Sequence, residues 1–430
     1  MYKLGLRKAI CDSLKANFNI ITPTRCQNLI IPKISRGHDL FVKDSTGSGK
    51  TFGIVLALLN KNRSFHINNK ENHLIQTPLI TSIFMVPSRE LAYQIESWIY
   101  QLLGHENLPM NLIVQTVVKS TDVEEEIAQL KLLKEQKPHI LVCTATRLHD
   151  IMNMEDYLID FQGVKTIVLD EADHLIRLPG KHAPIKKIRS RINHPKPAEL
   201  IMKKLFSLLD NEISSENKPQ VIVSSATINH ALKHYFTENK YVIKPEDINI
   251  NQTNTFTPTV SHHCLVINSK QIKNLMSYNY QINRYNNNGY NISERIQSFD
   301  DDDDLMLDSV AGVFESDNVK ADDKDTKFIK DIGMEKSSPF LPGLKSEQER
   351  QILYVAPEYL ARGIDIPWLS HVFILGLPSS ASEYLHMSGR TGRMGRNGKV
   401  FSFIREGKEN SMSKLFNLIK VPIIPYGFIE

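Results

Sequence analysis

Thr46-Gly-Ser-Gly-Lys-Thr51, then Thr166-Ile-Val-Leu169 running into Asp170-Glu-Ala-Asp173, are the stretches that decide the fold; Asp170 follows Lys50 by 120 residues (170 − 50). A glycine-rich turn of this kind follows a strand and opens a helix. It offers backbone N–H groups and a helix N-terminus to phosphates, with Lys50 as a charge and Thr51 as a magnesium ligand. Carboxylates at the end of a buried strand hold that ion and position a water for in-line attack. Each motif supplies what the other lacks, and together they point to nucleoside-triphosphate chemistry on an α/β sheet.

The flanking sequence extends the same pattern. Leu40-Phe-Val42 precedes the phosphate turn, and Ser82-Ile-Phe-Met-Val86 precedes Pro87-Ser-Arg-Glu-Leu-Ala92. His139-Ile-Leu-Val-Cys143 precedes Thr144-Ala-Thr-Arg147, and Val221-Ile-Val223 precedes Ser225-Ala-Thr227. Short, fully apolar strands between helices predict a parallel sheet covered on both faces. Every polar cluster comes just after a strand, at the carboxyl edge where open α/β sheets bind ligands.

At 430 residues the chain is long enough for two domains, and 41% hydrophobic residues suffice to bury both cores. The four cysteines, Cys11, Cys26, Cys143 and Cys264, lack metal-binding spacing and read as buried free thiols in a reducing, intracellular compartment. No run of about 18 apolar residues occurs, so no membrane span is expected. The net charge of +4 hides a division: Glu294 to Asp325 carries twelve acidic and three basic residues, a net of −9. The remainder is therefore +4 − (−9) = +13, a balance that suits a polyanionic partner as well as solubility.

Order returns late in the chain with strand-like Gln351-Ile-Leu-Tyr-Val355, His371-Val-Phe-Ile-Leu375 and Lys399-Val-Phe-Ser-Phe-Ile404. Between the two halves, residues 278–337 are Asn- and Asp-rich without periodicity and read as a disordered insertion. The expected division is 1–245, an ATP-binding domain with an N-terminal adenine-reading segment; 246–277, a linker and start of the second domain; 278–337, the insertion; and 338–430, a reduced second domain.

Pro87-Ser-Arg-Glu-Leu-Ala-Tyr-Gln94, Asp170-Glu-Ala-Asp173, Ser225-Ala-Thr227, Ala361-Arg-Gly-Ile-Asp365 and His386-Met-Ser-Gly-Arg-Thr-Gly-Arg393 occur in one order. With them the chain resembles a DEAD-box RNA helicase from Tyr2 to about Ile404. The resemblance implies two RecA-like parallel-sheet domains in tandem, the second reduced and interrupted by the low-complexity insertion, with ATP and Mg2+ in the cleft and RNA across both. Pro23-Thr-Arg-Cys-Gln27 matches the family's adenine-reading motif: Gln27 both donates and accepts, and Tyr2 stands where the family has a stacking aromatic. The nucleotide set is then Tyr2, Gln27, Thr46, Gly47, Ser48, Gly49, Lys50, Thr51, Gly363 and Asp365, with Thr51 and Asp170 on the metal.

Glu171 takes the role of water-orienting base, and Arg390 and Arg393 that of arginine fingers on the transferring phosphoryl group. Asp173, Ser225, Thr227 and His386 couple the ATP site to the second domain. Pro87, Ser88, Arg89, Thr144, Arg147 and Arg362 match positions on the RNA sugar-phosphate backbone, contacts that carry no sequence information. The basic stretch Lys181 to Lys196 reads equally as a solvated helix face or an extra RNA contact.

The chain also departs from the family. Asp44 opens the phosphate turn where the family has alanine or glycine, and Ala145-Thr146 replace Pro-Gly. Pro357-Glu358 replace Thr-Asp, and Met387 replaces the first arginine of the last motif. The insertion stands where a strand and helix belong, and Gln351 follows directly on the Gln-x-x-Arg-like Gly343-Leu-Lys-Ser-Glu-Gln-Glu-Arg350. This leaves two further readings: an RNA-clamping scaffold with weak or no turnover, and a DNA translocase, which the DEAD, Ser-Ala-Thr and glutamine motifs disfavour. The incomplete second domain also suggests an activating protein partner. The Asn-rich tract and the divergence lean the localisation towards a fungal mitochondrion.

Overall fold

A computed structural model describes residues 1–44, 47–70, 73–103, 108–120, 122–154, 160–178, 186, 189, 191, 193–210, 218–250, 260–268, 271–275, 369–392, 396–427 and 429. The first half builds a seven-stranded sheet from β1 (Leu40–Lys43), β4 (Ser82–Val86), β5 (Val114–Val117), β6 (Ile140–Thr144), β7 (Thr166–Asp170), β8 (Gln220–Ser225) and β9 (Glu246–Asn249). Their order is β5-β6-β4-β7-β8-β1-β9, and every pairing is parallel. The hairpin β2 (Phe65–Lys70) and β3 (His73–Pro78) pairs antiparallel as a separate two-stranded sheet.

The two-residue period of a strand explains why the sheet is covered on both sides. Phe41, Ile83, Met85, Leu141, Cys143, Ile167, Leu169, Val221 and Val223 enter one core. They meet α7 (Ala145–Met152), α9 (Pro197–Asp210) and α10 (His230–Glu238) there. Their sequence neighbours Leu40, Val42, Phe84, Val86, Ile140, Val142, Val168 and Ile222 enter the other. That face meets α1 (Lys8–Phe18), α2 (Arg25–Ser35), α3 (Lys50–Leu59) and α4 (Arg89–Leu103). Strands apolar at every position therefore sit in the centre, as their sequence predicted.

The short α5 (Met110–Ile113) leads into β5, and α6 (Val123–Glu135) follows it. The four-residue α8 (Ala172–Leu175) follows β7.

The second half forms a four-stranded sheet, β11-β10-β13-β12, from β10 (Val260–Ile267), β11 (Ile272–Asn274), β12 (His371–Leu375) and β13 (Gly398–Arg405). β10, β13 and β12 run parallel, and β11 is antiparallel to β10. α11 (Ala381–Ser388) and α12 (Glu409–Ile419) pack on this sheet around Tyr384, Val400, Ile404, Leu415 and Phe416. Gln351–Val355 and the insertion 278–337 lie outside the described residues.

The expected boundary at 245 needs correction. Glu246–Asn249 is the edge strand of the first sheet, in register with Leu40–Lys43. An edge strand pairs on one side only, so a polar run suffices, and the Glu246 carboxylate is taken by Lys33 and His38. β5, β11 and the β2–β3 hairpin were likewise not expected. Each is short and mixed in polarity, so the alternation that marks strands is weak there. Among the described residues all four cysteines are free and buried, and no helix is long and apolar enough to cross a membrane.

Candidate active site

The strand order places the polar clusters side by side. β7, β8 and β1 are neighbours, with Asp170 in register with Ser224 and Lys43 with Ser225. The turn after β1 thus lies two strands from the end of β7, on the same carboxyl edge. The Thr51 hydroxyl donates to Asp170 Oδ2 at 2.6 Å. Asp170 is 1% exposed, and burial pushes its carboxyl above the usual range while the Thr51 and Ser224 hydroxyls and Lys50 oppose that. A buried carboxylate touching a hydroxyl is a pair of hard oxygen donors, which fits Mg2+ held with further oxygens from phosphate and water.

The phosphate turn is braced from behind. Thr24 caps α2 in a reciprocal box: its hydroxyl accepts from Gln27 N at 3.2 Å, and Gln27 Oε1 accepts from Thr24 N at 3.0 Å. Thr24 Oγ1 also donates to the Ser48 carbonyl at 2.9 Å, and Gln27 Nε2 to the Gly49 carbonyl at 3.4 Å. Gly49 must be glycine, since its φ is +85° and an added Cβ would lie 2.6 Å from Gln27 Nε2. Lys50 Nζ donates to the Asp44 carbonyl at 2.7 Å. The unusual Asp44 side chain is buried beside Cys26, whose thiol is pushed up to about 12 by burial and by that carboxylate.

Glu171 sits in a left-handed backbone conformation, φ 49° and ψ 50°. Such a conformation costs a non-glycine residue about 1–2 kcal/mol and clusters at functional sites. Its Oε2 is buried with no hydrogen-bond partner among the described residues, and its Oε1 lies 3.7 Å from His386 Nδ1. His386 Nε2 lies 3.7 Å from Asp173 Oδ2. At that separation neither contact is a hydrogen bond. Asp173 also accepts from the Thr227 hydroxyl. Burial would raise the Asp173 carboxyl, but His386 and the Thr227 and Ser225 hydroxyls outweigh it and hold it well below the usual range. Ser225 Oγ accepts from Thr227 N at 3.0 Å, fixing the turn after β8. His386, on α11 of the second sheet, therefore reaches the acidic end of β7 on the first.

The remaining residues named from the sequence are placed less uniformly. Tyr2 is exposed at the chain start and donates to Asp12 at 2.7 Å. Arg390 is buried and folds back, Nε donating to the His386 carbonyl at 2.8 Å. Pro87, Ser88 and Arg89 follow β4; Ser88 Oγ accepts from Leu91 N, and Arg89 pairs with Glu90 at 3.0 Å. Thr144 ends β6 and begins α7. Arg147 is 4% exposed, and its guanidinium pairs with Glu126 at 2.9 Å on α6, bracing the loop.

Thr46, Arg362, Gly363, Asp365 and Arg393 lie outside the described residues, as does most of Lys181–Lys196. Sequence reasoning missed Thr24, whose role had a signal in the Thr-x-x-Gln capping pattern.

Known proteins bear on this geometry. The family model for DEAD/DEAH box helicases matches residues 24–235, and that for the helicase conserved C-terminal domain matches residues 342–395. ATP-dependent RNA helicase CshA of Limosilactobacillus reuteri is 26% identical over 434 aligned residues, covering 98% of this chain and 72% of the relative. DEAD-box ATP-dependent RNA helicase CshB of Listeria monocytogenes is 26% identical over 403, covering 91% and 77%. Mss116p, solved bound to ssRNA and AMP-PNP, matches with TM-score 0.64 at 20% identity over 99% of this chain and 77% of that one. S. cerevisiae Dbp5, solved bound to RNA and ADP BeF3, matches with TM-score 0.59 at 18% identity over 98% and 93%. At these identities the structural likeness is one of fold, two RecA-like domains in tandem.

Proposed function

This chain belongs to the DEAD-box RNA helicases and is an ATP-hydrolysing RNA helicase, and from that premise we propose how its own residues divide the work. The observation that carries the reading is the junction at the end of β7. Thr51 contacts Asp170 there from the phosphate turn, while His386 of the second sheet faces Glu171 and Asp173.

Lys50 and the backbone N–H groups at the start of α3 bind the β- and γ-phosphates, and Gln27 and Tyr2 hold the adenine. Thr51 and Asp170 would hold Mg2+, which would supply charge neutralisation for the phosphates. Glu171 Oε2, buried and unpartnered among the described residues, accepts the proton of the attacking water. The water oxygen bonds to the γ-phosphorus, the bond to the bridging oxygen of the β-phosphate breaks, and ADP and phosphate form. Arg390 turns from the His386 carbonyl to the γ-phosphoryl group when the two sheets close, joined by Arg393. Asp173, Thr227, Ser225 and His386 transmit closure between the sheets.

RNA backbone contacts come from Pro87, Ser88, Arg89, Thr144 and Arg362, with Arg147 supporting the loop from inside. The first domain runs through Asn249. A protein partner that holds the second sheet in place raises the closed population and with it the apparent RNA affinity.

The test is RNA-stimulated ATP turnover in wild type, Glu171→Gln and His386→Ala. Turnover lost in Glu171→Gln with nucleotide binding kept, and RNA stimulation lost in His386→Ala, support the scheme. Unchanged turnover in both sinks it.

A further inference from the structure

The edge of the first sheet opposite the nucleotide cleft collects the basic residues Lys61, Arg63 and Lys165. Lys61 Nζ donates to Thr166 Oγ1 at 2.6 Å and to Gln220 Oε1 at 2.5 Å, at the amino ends of β7 and β8. Arg63 donates to the Lys137 carbonyl, and its guanidinium lies 5.9 Å from the Phe65 ring centre. Lys165 immediately precedes β7. Among the described residues neither Lys61 nor Arg63 has a carboxylate partner. Burial and the charge of Lys165 push Lys61 down to about 8, and burial pushes Arg63 down. His139 is pushed down to about 4 by burial, with Arg63, Arg7 and Lys61 adding to it. Asp160 accepts from Gln162 N at 2.9 Å, and its charge acts on Lys137.

A cavity of about 300 Å³ opens beside Arg63 and Lys165. Ser64 and Gln162 complete its polar wall, and among the described residues no acidic one lines it. Arg63 is partly buried and Lys165 exposed at its rim, and a guanidinium and an ammonium group with no carboxylate between them favour an anionic ligand. The shape is built in: Gly163 packs so closely on Leu79 that an added Cβ would lie 2.4 Å from the Leu79 Cβ.

We propose that this cavity is a second anion site, taking a compact ligand with two or more phosphoryl groups. An arginine guanidinium and a lysine ammonium group at one cavity match phosphoryl oxygens, which accept several charge-assisted hydrogen bonds at once. A small anion fits better than an RNA strand because Arg63 is recessed, whereas strand-tracking contacts line an open groove. The site is distinct from the nucleotide cleft. It lies at the amino ends of β4 and β7, and the phosphate turn lies beyond the carboxyl edge, about 17 Å away along a five-residue strand.

The test is calorimetric titration of the full chain, its cleft saturated with ADP, with inorganic tripolyphosphate at fixed ionic strength. One saturable binding event is expected, weakened at least tenfold by Lys165→Glu and by Arg63→Gln, with ADP affinity unchanged. Lys165 is exposed, so its reversal leaves folding intact, and an unchanged melting temperature without ligand verifies that. No saturable binding to the ADP-saturated chain overturns the proposal. So does equal affinity in Lys165→Glu, including the case where that variant instead loses affinity for single-stranded RNA, which would make the edge an RNA contact.

Discussion

Replacing Gly49 by alanine tests how the phosphate turn is held. Gly49 has φ +85°, and a Cβ there would lie 2.6 Å from Gln27 Nε2 and 3.3 Å from its Cδ. The left-handed conformation costs an alanine about 1–2 kcal/mol. Moving the Gln27 amide aside also breaks its bond to the Gly49 carbonyl, worth about 1 kcal/mol. The sum is roughly 2–3 kcal/mol. The free chain can relax part of it by shifting the turn, but bound nucleotide needs the turn as it is. The cost should therefore divide between melting temperature and nucleotide affinity. If all of it fell on affinity, Kd for ATP would rise about 30- to 150-fold.

A fluorescent ATP analogue titrated into wild type and Gly49→Ala measures one share, and thermal unfolding measures the other. Adding Gln27→Ala to Gly49→Ala removes the clash, so the double variant should be better than additive by about 1 kcal/mol. Changes below about 0.5 kcal/mol in both assays would refute the reasoning, and strict additivity would refute the role given to Gln27.

Glu171→Gln should keep ATP binding and lower turnover by on the order of 100-fold or more, since the amide cannot accept the water's proton; steady-state ATPase with RNA decides it. Thr227→Val removes a hydroxyl from the buried Asp173 carboxylate, and should cost about 1–3 kcal/mol of stability by denaturant unfolding. The Asp173 carboxyl is held below its usual range. Its stabilising effect is thus complete at neutral pH and is lost only in acid, as pH falls through the folded value. His139 and His262 are each pushed down to about 4 by burial. The unfolded chain therefore takes up their protons first, and stability should fall as pH drops from about 6.5 towards 4. Imidazole resonances of either histidine titrating near 6.5 would contradict this. RNA affinity should fall steeply with salt and vary little with sequence in filter binding.

Local chemistry was legible without a structure. The glycine turn, the apolar strand before Asp170 and the clusters after each strand depend on neighbours along the chain, so β1, β4, β6, β7 and β8 and the residues at their carboxyl ends could be read directly. β9 could not, because Glu246 and Asp247 carry no strand pattern, and Glu246 is acceptable there only because Lys33 and His38 come to meet it. Nor could the fate of Arg147, which depends on Glu126 arriving from α6, or of Arg390, which folds onto its own helix. Whether a charged side chain faces a ligand or a partner is a balance of burial and pairing between distant segments. The cations Lys61, Arg63 and Lys165 belong to the same class. Spread over a separation of 104 residues (165 − 61) they look like ordinary surface charge, and only the parallel stacking of β4, β7 and β8 brings them to one end of the sheet, with Arg63 and Lys165 at one cavity.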